Sequence, residues 1–366
     1  MSDCRLAALA LLLAAAGAHA EETRSPFIDP EDGWFDVSAF LDKVYGAVPV
    51  IAPVTEPAVG YGAAGALIFV DRDPKAGPGV RPDLYAIGGM YTASDSWAAV
   101  GGYAGNWLQG DLRTLVGLGY VSLNLKHYGL GDDPALAQNP IEYNLQGTVV
   151  TTSGAYRIAS TPLYAGLNVT LGRTILDVHP TGTSVENTLF SMRPLLQFDT
   201  RDDIFTPTRG LFGEAGFSFI HQSDGSWFEL LDLTAIGYTP LFIRELFLGV
   251  RAGAGLSFGD APFYLRPFVN LRGAPKLRYQ GEETADLEVE LRWQFWKRFS
   301  LVGFGGVGGA WTGVLGFDRS EAVFTGGTGF RYEIARKHGL HMGADFAFGQ
   351  NGFVFYIQFG SAWFRL

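Results

Sequence analysis

The chain has 366 residues and a formal net charge of −10, with 49 glycines, 14% aromatic residues and only 17% charged residues. Charge is well below the usual share of about 25%, and glycine is about twice its usual ~7%. The acidic balance excludes a nucleic-acid backbone as the natural partner, and the composition fits a transmembrane barrel, with one greasy face and one crowded face, better than a soluble core.

Residues 6–17 form an apolar run followed by Ala18-His19-Ala20, the pattern of a secretory signal peptide over 1–20 with a mature start at Glu21. The single cysteine, Cys4, precedes that run, so the mature chain is expected to carry no thiol and no disulfide. No later stretch reads as a membrane helix. The best one, 301–317, is rich in glycine and shorter than the roughly 20 residues a span requires. An exported chain of this composition without spanning helices leaves the closed barrel, because an open sheet cannot satisfy its edges in lipid.

Residues 21–45 read as a periplasmic lead with Pro26, Pro30 and Gly33, and one short helix capped by Asp36 or Ser38. From residue 46 onward the pattern has period two. Leu287, Val289, Leu291 and Trp293 alternate with Glu288, Glu290, Arg292 and Gln294, and Phe353, Phe355, Ile357 and Phe359 alternate with Val354, Tyr356, Gln358 and Gly360. The spacing predicts strands over 46–54, 58–71, 83–93, 96–108, 111–126, 141–153, 161–174, 186–199, 210–221, 227–239, 245–257, 285–296, 298–310, 320–333, 338–348 and 352–364. The expected fold is therefore all-β, a sixteen-stranded antiparallel transmembrane barrel over 46–366 with both ends in the periplasm; an even count is the rule for bacterial barrels. The first strand is the least regular, since it holds Pro49 and Pro53. Long connections are expected at 127–140, 175–185 and 258–284. The last is far longer than a hairpin needs, and loops of that size are usually functional; it is expected to leave the extracellular rim and fold inward.

Four motifs are less generic. Asp199-Thr-Arg-Asp-Asp-Ile-Phe-Thr-Pro-Thr-Arg-Gly210 resembles the periplasmic turn of the BamA/TamA outer-membrane assembly superfamily, the bacterial surface antigen family. Leu271-Arg-Gly273 resembles that family's Arg-Gly loop motif. Arg278-Tyr-Gln-Gly281 with Glu288-Val-Glu-Leu-Arg-Trp293, and the closing runs 343–349 and 355–360, stand where the family has them. The resemblance covers about residues 46–366. It implies a sixteen-strand barrel in the bacterial outer membrane with five strands after the Arg-Gly loop. It also implies a role in the insertion or passage of other chains, with outer-membrane lipid and a periplasmic or outer-membrane protein as partners. Three departures accompany it. Nothing between Glu21 and Gly46 could form one of the family's periplasmic POTRA domains, so the chain reads as a barrel-only branch. The strand that usually supplies an acid to the loop arginine reads Gly303-Phe-Gly-Gly-Val-Gly308. The chain ends in Trp363-Phe-Arg-Leu366 instead of a terminal Phe.

The chemistry-bearing patterns have plainer readings. Gly303-x-Gly305-x-x-Gly308 lacks the following helix that a dinucleotide fingerprint needs, so its glycines are read as close packing inside a barrel. Gly255-Leu-Ser257-Phe-Gly259 with His338 and His341 would be a lipase triad only on paper, because no strand-to-helix turn follows the serine. His338 and His341, three apart in a strand, would point to opposite faces. No enzyme, cofactor or metal is expected. The candidate site is a loop and lumen network, Arg272, Gly273, Glu288, Glu290 and Arg292. In it Arg272 enters the lumen and takes Glu288 or Glu290 in place of the missing acid. The periplasmic turn motif carries Asp199, Arg201, Asp202, Pro207 and Gly210. Beside the assembly-related reading stand a passive small channel or structural barrel and, last, an outer-membrane lipase.

Overall fold

The computed structural model describes residues 25–43, 47–71, 82–131, 133–179, 181–313 and 318–365; the expected signal peptide and the start at Glu21 lie outside them. Sixteen strands follow one another as antiparallel neighbours. They are β1 Ala47–Val54, β2 Gly62–Asp71, β3 Asp83–Thr92, β4 Trp97–Trp107, β5 Leu112–His127, β6 Ile141–Arg157, β7 Leu163–Val178 and β8 Thr183–Asp199. After these come β9 Gly210–Gln222, β10 Trp227–Pro240, β11 Leu246–Gly259, β12 Glu283–Trp296, β13 Phe299–Thr312, β14 Asp318–Ala335, β15 Leu340–Gly349 and β16 Gly352–Phe359. Every expected strand is present. The expected loop 175–185 is not, because β7 and β8 run on to Val178 and from Thr183. His338 lies in the short turn Arg336–His338 and not in a strand.

Ile87, Val100, Leu118, Val150, Leu171, Leu196, Leu291, Phe330 and Phe348 are all exposed, and they sit on the outward side of their strands. In water that many exposed large side chains would be a liability; around a barrel they form the apolar belt of an outer-membrane-type fold. The described lead and C-terminal tail meet one rim, which for such barrels faces the periplasm. At the opposite ends of β5 to β8 the alternation turns inside out. Lys126 and Glu142 pair outside at 2.9 Å, and the Asn144 amide donates to Asn124 Oδ1 at 2.8 Å. Meanwhile Leu125, Tyr143 and Leu176 are buried inward against Phe263 and Tyr264. Here the outer side is polar and the inner side is covered by protein, so the strand ends stand above the lipid.

The ladder does not close with the same regularity. Among the described residues each strand pairs with its sequence neighbours, and β1 and β16 share no ladder. They meet where Thr55 donates its hydroxyl to the Phe355 carbonyl. Pro49 and Pro53 are accommodated because β1 is an edge strand, the place in a sheet where missing N–H groups are tolerated.

The lead reaches the same rim. Its helix spans Ser38–Lys43, with the Ser38 amide donating to Asp36 Oδ1 at 2.6 Å. Arg298, in the β12–β13 turn and 2% exposed, takes Asp29, Asp32 and Asp36 at 2.5, 2.7 and 2.6 Å. Burial pushes the Asp36 carboxyl up. Hydrogen bonds from Ser38, the Arg336 amide and Arg298 outweigh it and leave the group below its ordinary range; Asp32 is lowered in the same sense, against its own desolvation, by Arg298 and the Trp34 amide. A depressed carboxylate stabilises the folded form above its unfolded pKa and loses that contribution as pH falls through the folded value. The clamp is therefore expected to hold unchanged from neutral pH to about pH 5 and to release only below roughly pH 4, the unfolded Asp range. The protection factor of the Val37 amide, which donates to the Ile334 carbonyl at 2.8 Å, reads this. Loss of protection already near pH 6 would contradict it.

Candidate functional site

The connection between β11 and β12 turns inward at Gly259, whose φ is +74°, and packs into the lumen. Val269, Leu271, Ala274 and Tyr279 are buried with Ala310 of β13 and Val323 of β14. The loop braces itself through the Val269 amide on the Tyr279 carbonyl at 2.9 Å and the Gly281 amide on Pro267 at 3.2 Å. Glycines of β13 make room for it. A Cβ at Gly306 would come within 2.8 Å of Leu271, and one at Gly308 within 2.6 Å of Val269. Gly303 and Gly305 have no such role. They lie on the outward side, with open space or only the Thr325 carbonyl at 3.7 Å beside them, so the close-packing reading holds for the second half of that motif alone. Gly308→Val is expected to push the loop off the wall. Overpacking of this kind costs about 1–3 kcal/mol, and the check is increased proteolysis within 260–282 in a barrel that otherwise folds.

Arg272 stands at the centre. Its Nε donates to Glu288 Oε1 at 2.7 Å and its backbone amide to Glu288 Oε2 at 2.9 Å. Its Nη1 donates to Asp345 Oδ2 at 2.8 Å. Glu290 approaches Nη1 at 2.8 Å but off the N–H directions, a charge contact without a hydrogen bond. The guanidinium lies over the Phe304 ring, 3.8 Å from its centroid. Thus the strand whose usual acid is missing contributes an aromatic face, and the extra carboxylate comes from β15. Asp345, 0% exposed, is also gripped by both nitrogens of Arg331 at 2.6 and 2.9 Å. Buried carboxylates persist only with such full pairing.

Gly273 has φ +92° and donates its amide to the Tyr356 hydroxyl at 3.1 Å. A Cβ there would lie 3.1 Å from the Phe348 carbonyl, so glycine lets the loop lie against the β15–β16 hairpin. Arg292 faces the lumen too, but it is not a partner of Arg272. It donates to the Pro207 carbonyl at 3.2 Å and lies 5.0 Å from the Phe247 ring centroid, joining β12 to the periplasmic turn.

That turn is built by its acids. Asp202 Oδ1 accepts the Thr208 and Arg209 amides at 2.9 and 3.2 Å, and Asp203 Oδ1 accepts those of Phe205 and Thr206 at 2.7 Å. Asp199 pairs with Arg201 at 2.9 and 3.1 Å. Gly210, at φ +104°, would drive a Cβ into the Thr200 carbonyl. The turn then receives the C-terminal tail. The Ser361 amide donates to the Phe205 carbonyl at 2.5 Å, Arg201 Nη2 to the Arg365 carbonyl at 3.0 Å, and Phe364 stacks on Phe205 at 5.7 Å. Trp363 enters the lumen beside Phe212 and Ile236, and its indole N–H donates to Glu288 Oε1 at 2.9 Å. Glu288, 1% exposed, therefore joins loop, wall and tail. The alternation places Asp345 inward on one face with His341, but does not give it as the partner of Arg272; Trp363, absent from the site expected from the sequence, lies beyond the last strand and carries no periodic signal.

The lipase constellation is not assembled. Ser257 is buried at the extracellular end of β11 with its hydroxyl donating to the Glu282 carbonyl at 3.2 Å. His341 sits at the periplasmic end beside Thr206, and His338 is in the adjoining turn. No cluster of three or more potential metal ligands occurs among the described residues.

A structure of BamA from Haemophilus ducreyi lacking POTRA domains 1–3 superposes with a TM-score of 0.57 at 11% identity, over 87% of this chain and 70% of that one. The fold is that of the BamA barrel. CdiB from Escherichia coli is similar at TM-score 0.56 and 13% identity, over 84% of this chain and 61% of that one. CdiB from Acinetobacter baumannii gives 0.56 and 8%, over 86% and 59%. The chain thus spans about three fifths of either CdiB chain. No family model and no curated protein matches the sequence. In this BamA-type barrel the five strands after the Arg-Gly loop, β12 to β16, carry or contact every group bound to Arg272.

Proposed function

We propose that the chain is a bacterial outer-membrane barrel of the BamA/TamA superfamily that handles other polypeptides at the β1–β16 seam while its lumen stays shut. The seam is the observation that supports this reading. Among the described residues fifteen consecutive strand pairings form ladders, three of them with a register shift, whereas β1 and β16 present edges that share no ladder. Unpaired edges are templates for an added strand. The alternative of a passive small channel is not favoured, because the inward loop and the C-terminal tail both occupy the lumen.

The test is a cysteine pair at Thr55 and Phe355 in the mature protein, bridged by a short bis-methanethiosulfonate that forms a disulfide with each cysteine as sulfinate leaves. With the seam free, a photoreactive amino acid placed on β1 should capture polypeptides from envelope extract, and bridging should abolish capture. Equal capture with the seam bridged, or none with it free, would overturn the reading.

A further inference from the structure

The lead does not hang below the mouth of the barrel. Its residues 28–35 close on themselves, with a bridge between Ile28 and Phe35, and lie on the outer side of the wall. Trp34 packs edge-on against Trp296 and Phe299, at 5.1 and 5.7 Å. Tyr332 donates its hydroxyl to the Phe35 carbonyl at 2.7 Å. Phe299 and Tyr332 belong to the outward set of β13 and β14, beside exposed Leu301 and Phe330. Within the lead the side chains are sorted against the usual rule for a segment in water. Asp29, Asp32 and Asp36 turn to Arg298, while Phe27, Ile28 and Phe35 are left 38%, 44% and 48% exposed. Phe27 stacks with both Phe35 and Phe40, so the apolar patch is continuous.

The geometry points to a membrane-binding foot: residues 27–40 lie in the headgroup–acyl boundary of the leaflet facing the periplasm, with phospholipid as the partner. The patch continues the lipid-facing belt of β12 to β14 without a break, at the rim where aromatic girdles sit. Segments of this kind bury their apolar side roughly 5–10 Å into the boundary. Lys297, 5.0 Å from the Trp34 ring centroid, stands where a cationic head reaches lipid phosphates while its stem remains in apolar surroundings, and Arg336 pairs with Glu31 of the lead at 2.8 Å. Arg298 draws the carboxylates of Asp29, Asp32 and Asp36 to one side and offsets part of the charge that would otherwise keep the segment out of the boundary. The inference rests on the transmembrane barrel and is independent of any assembly role.

Site-directed fluorescence tests it in the whole mature protein, whose expected start removes Cys4. Phe35→Cys and Ile28→Cys, each labelled with bimane, are compared in phospholipid vesicles with Phe330→Cys on the belt and Arg209→Cys in the periplasmic turn, where the arginine side chain is 77% exposed. Folding of each variant is checked by heat-modifiable mobility. The lead probes should lose most of their emission to phospholipids brominated on the acyl chain, as Phe330→Cys does, and little to aqueous iodide. If both behave like Arg209→Cys, quenched by iodide and silent to brominated lipid, the foot is wrong and the patch is left for a protein partner. Agreement of two positions guards against a local effect of one substitution.

Discussion

Arg272→Ala should open the lumen. The substitution leaves Glu288, Glu290 and Asp345 facing one another without the cation that pairs with all three, Arg331 holding Asp345 alone, and removing one partner of a buried charge cluster costs about 3–5 kcal/mol. The strain need not unfold the barrel, since the wall is held by its own ladder. It falls on the loop, which is the part that can leave. Conductance across planar bilayers should rise, and protease should cut within 260–282. Arg272→Lys should restore little. One ammonium cannot place planar donors on Glu288 and Asp345 at once, nor present the flat face that lies 3.8 Å over Phe304. If the alanine variant conducts and digests like the parent, Arg272 does not hold the loop.

Trp363→Ala should free the tail. The indole fills a pocket beside Phe212, Ile236 and Tyr238, and truncating a buried tryptophan costs about 3–5 kcal/mol. Glu288 would also lose one of its donors. The expected result is carboxypeptidase access at the C-terminus and a wider periplasmic mouth, with the loop still seated by Arg272. Trp363→Phe separates the two contributions, because it keeps most of the packing and removes the N–H. Since Trp363 and Arg272 share Glu288 Oε1, the double variant should fall short of or exceed the sum of the single effects, as contacting residues do. Strict additivity of conductance and protease access would mean that loop and tail are held independently.

The local rules were readable because they are local. Alternation with period two marks which residues of a strand face in, so sixteen strands and the inward placement of Glu288 and Glu290 could be derived from neighbouring residues, whereas a loop arginine in need of an acid was implied by the resemblance of Leu271-Arg-Gly273 to the superfamily's loop motif. The same rule assigns no lipid or water to either side. That is why it gave a loop at 175–185, where strands run on above the membrane; the common reading of Gly303, Gly305 and Gly308 as close packing overlooked that the same alternation puts the first two on the outward face. Which inward groups meet is decided by the circumference of the barrel and the path of the loop. Asp345 reaches Arg272 from β15, Trp363 reaches Glu288 from beyond the last strand, and Arg298 collects three carboxylates from a segment more than 260 residues earlier in the chain. Composition and periodicity determined the wall of this protein. Only tertiary structure, by bringing distant charges into one low-dielectric lumen and one rim where they must pair, decided what closes it and what holds its two ends.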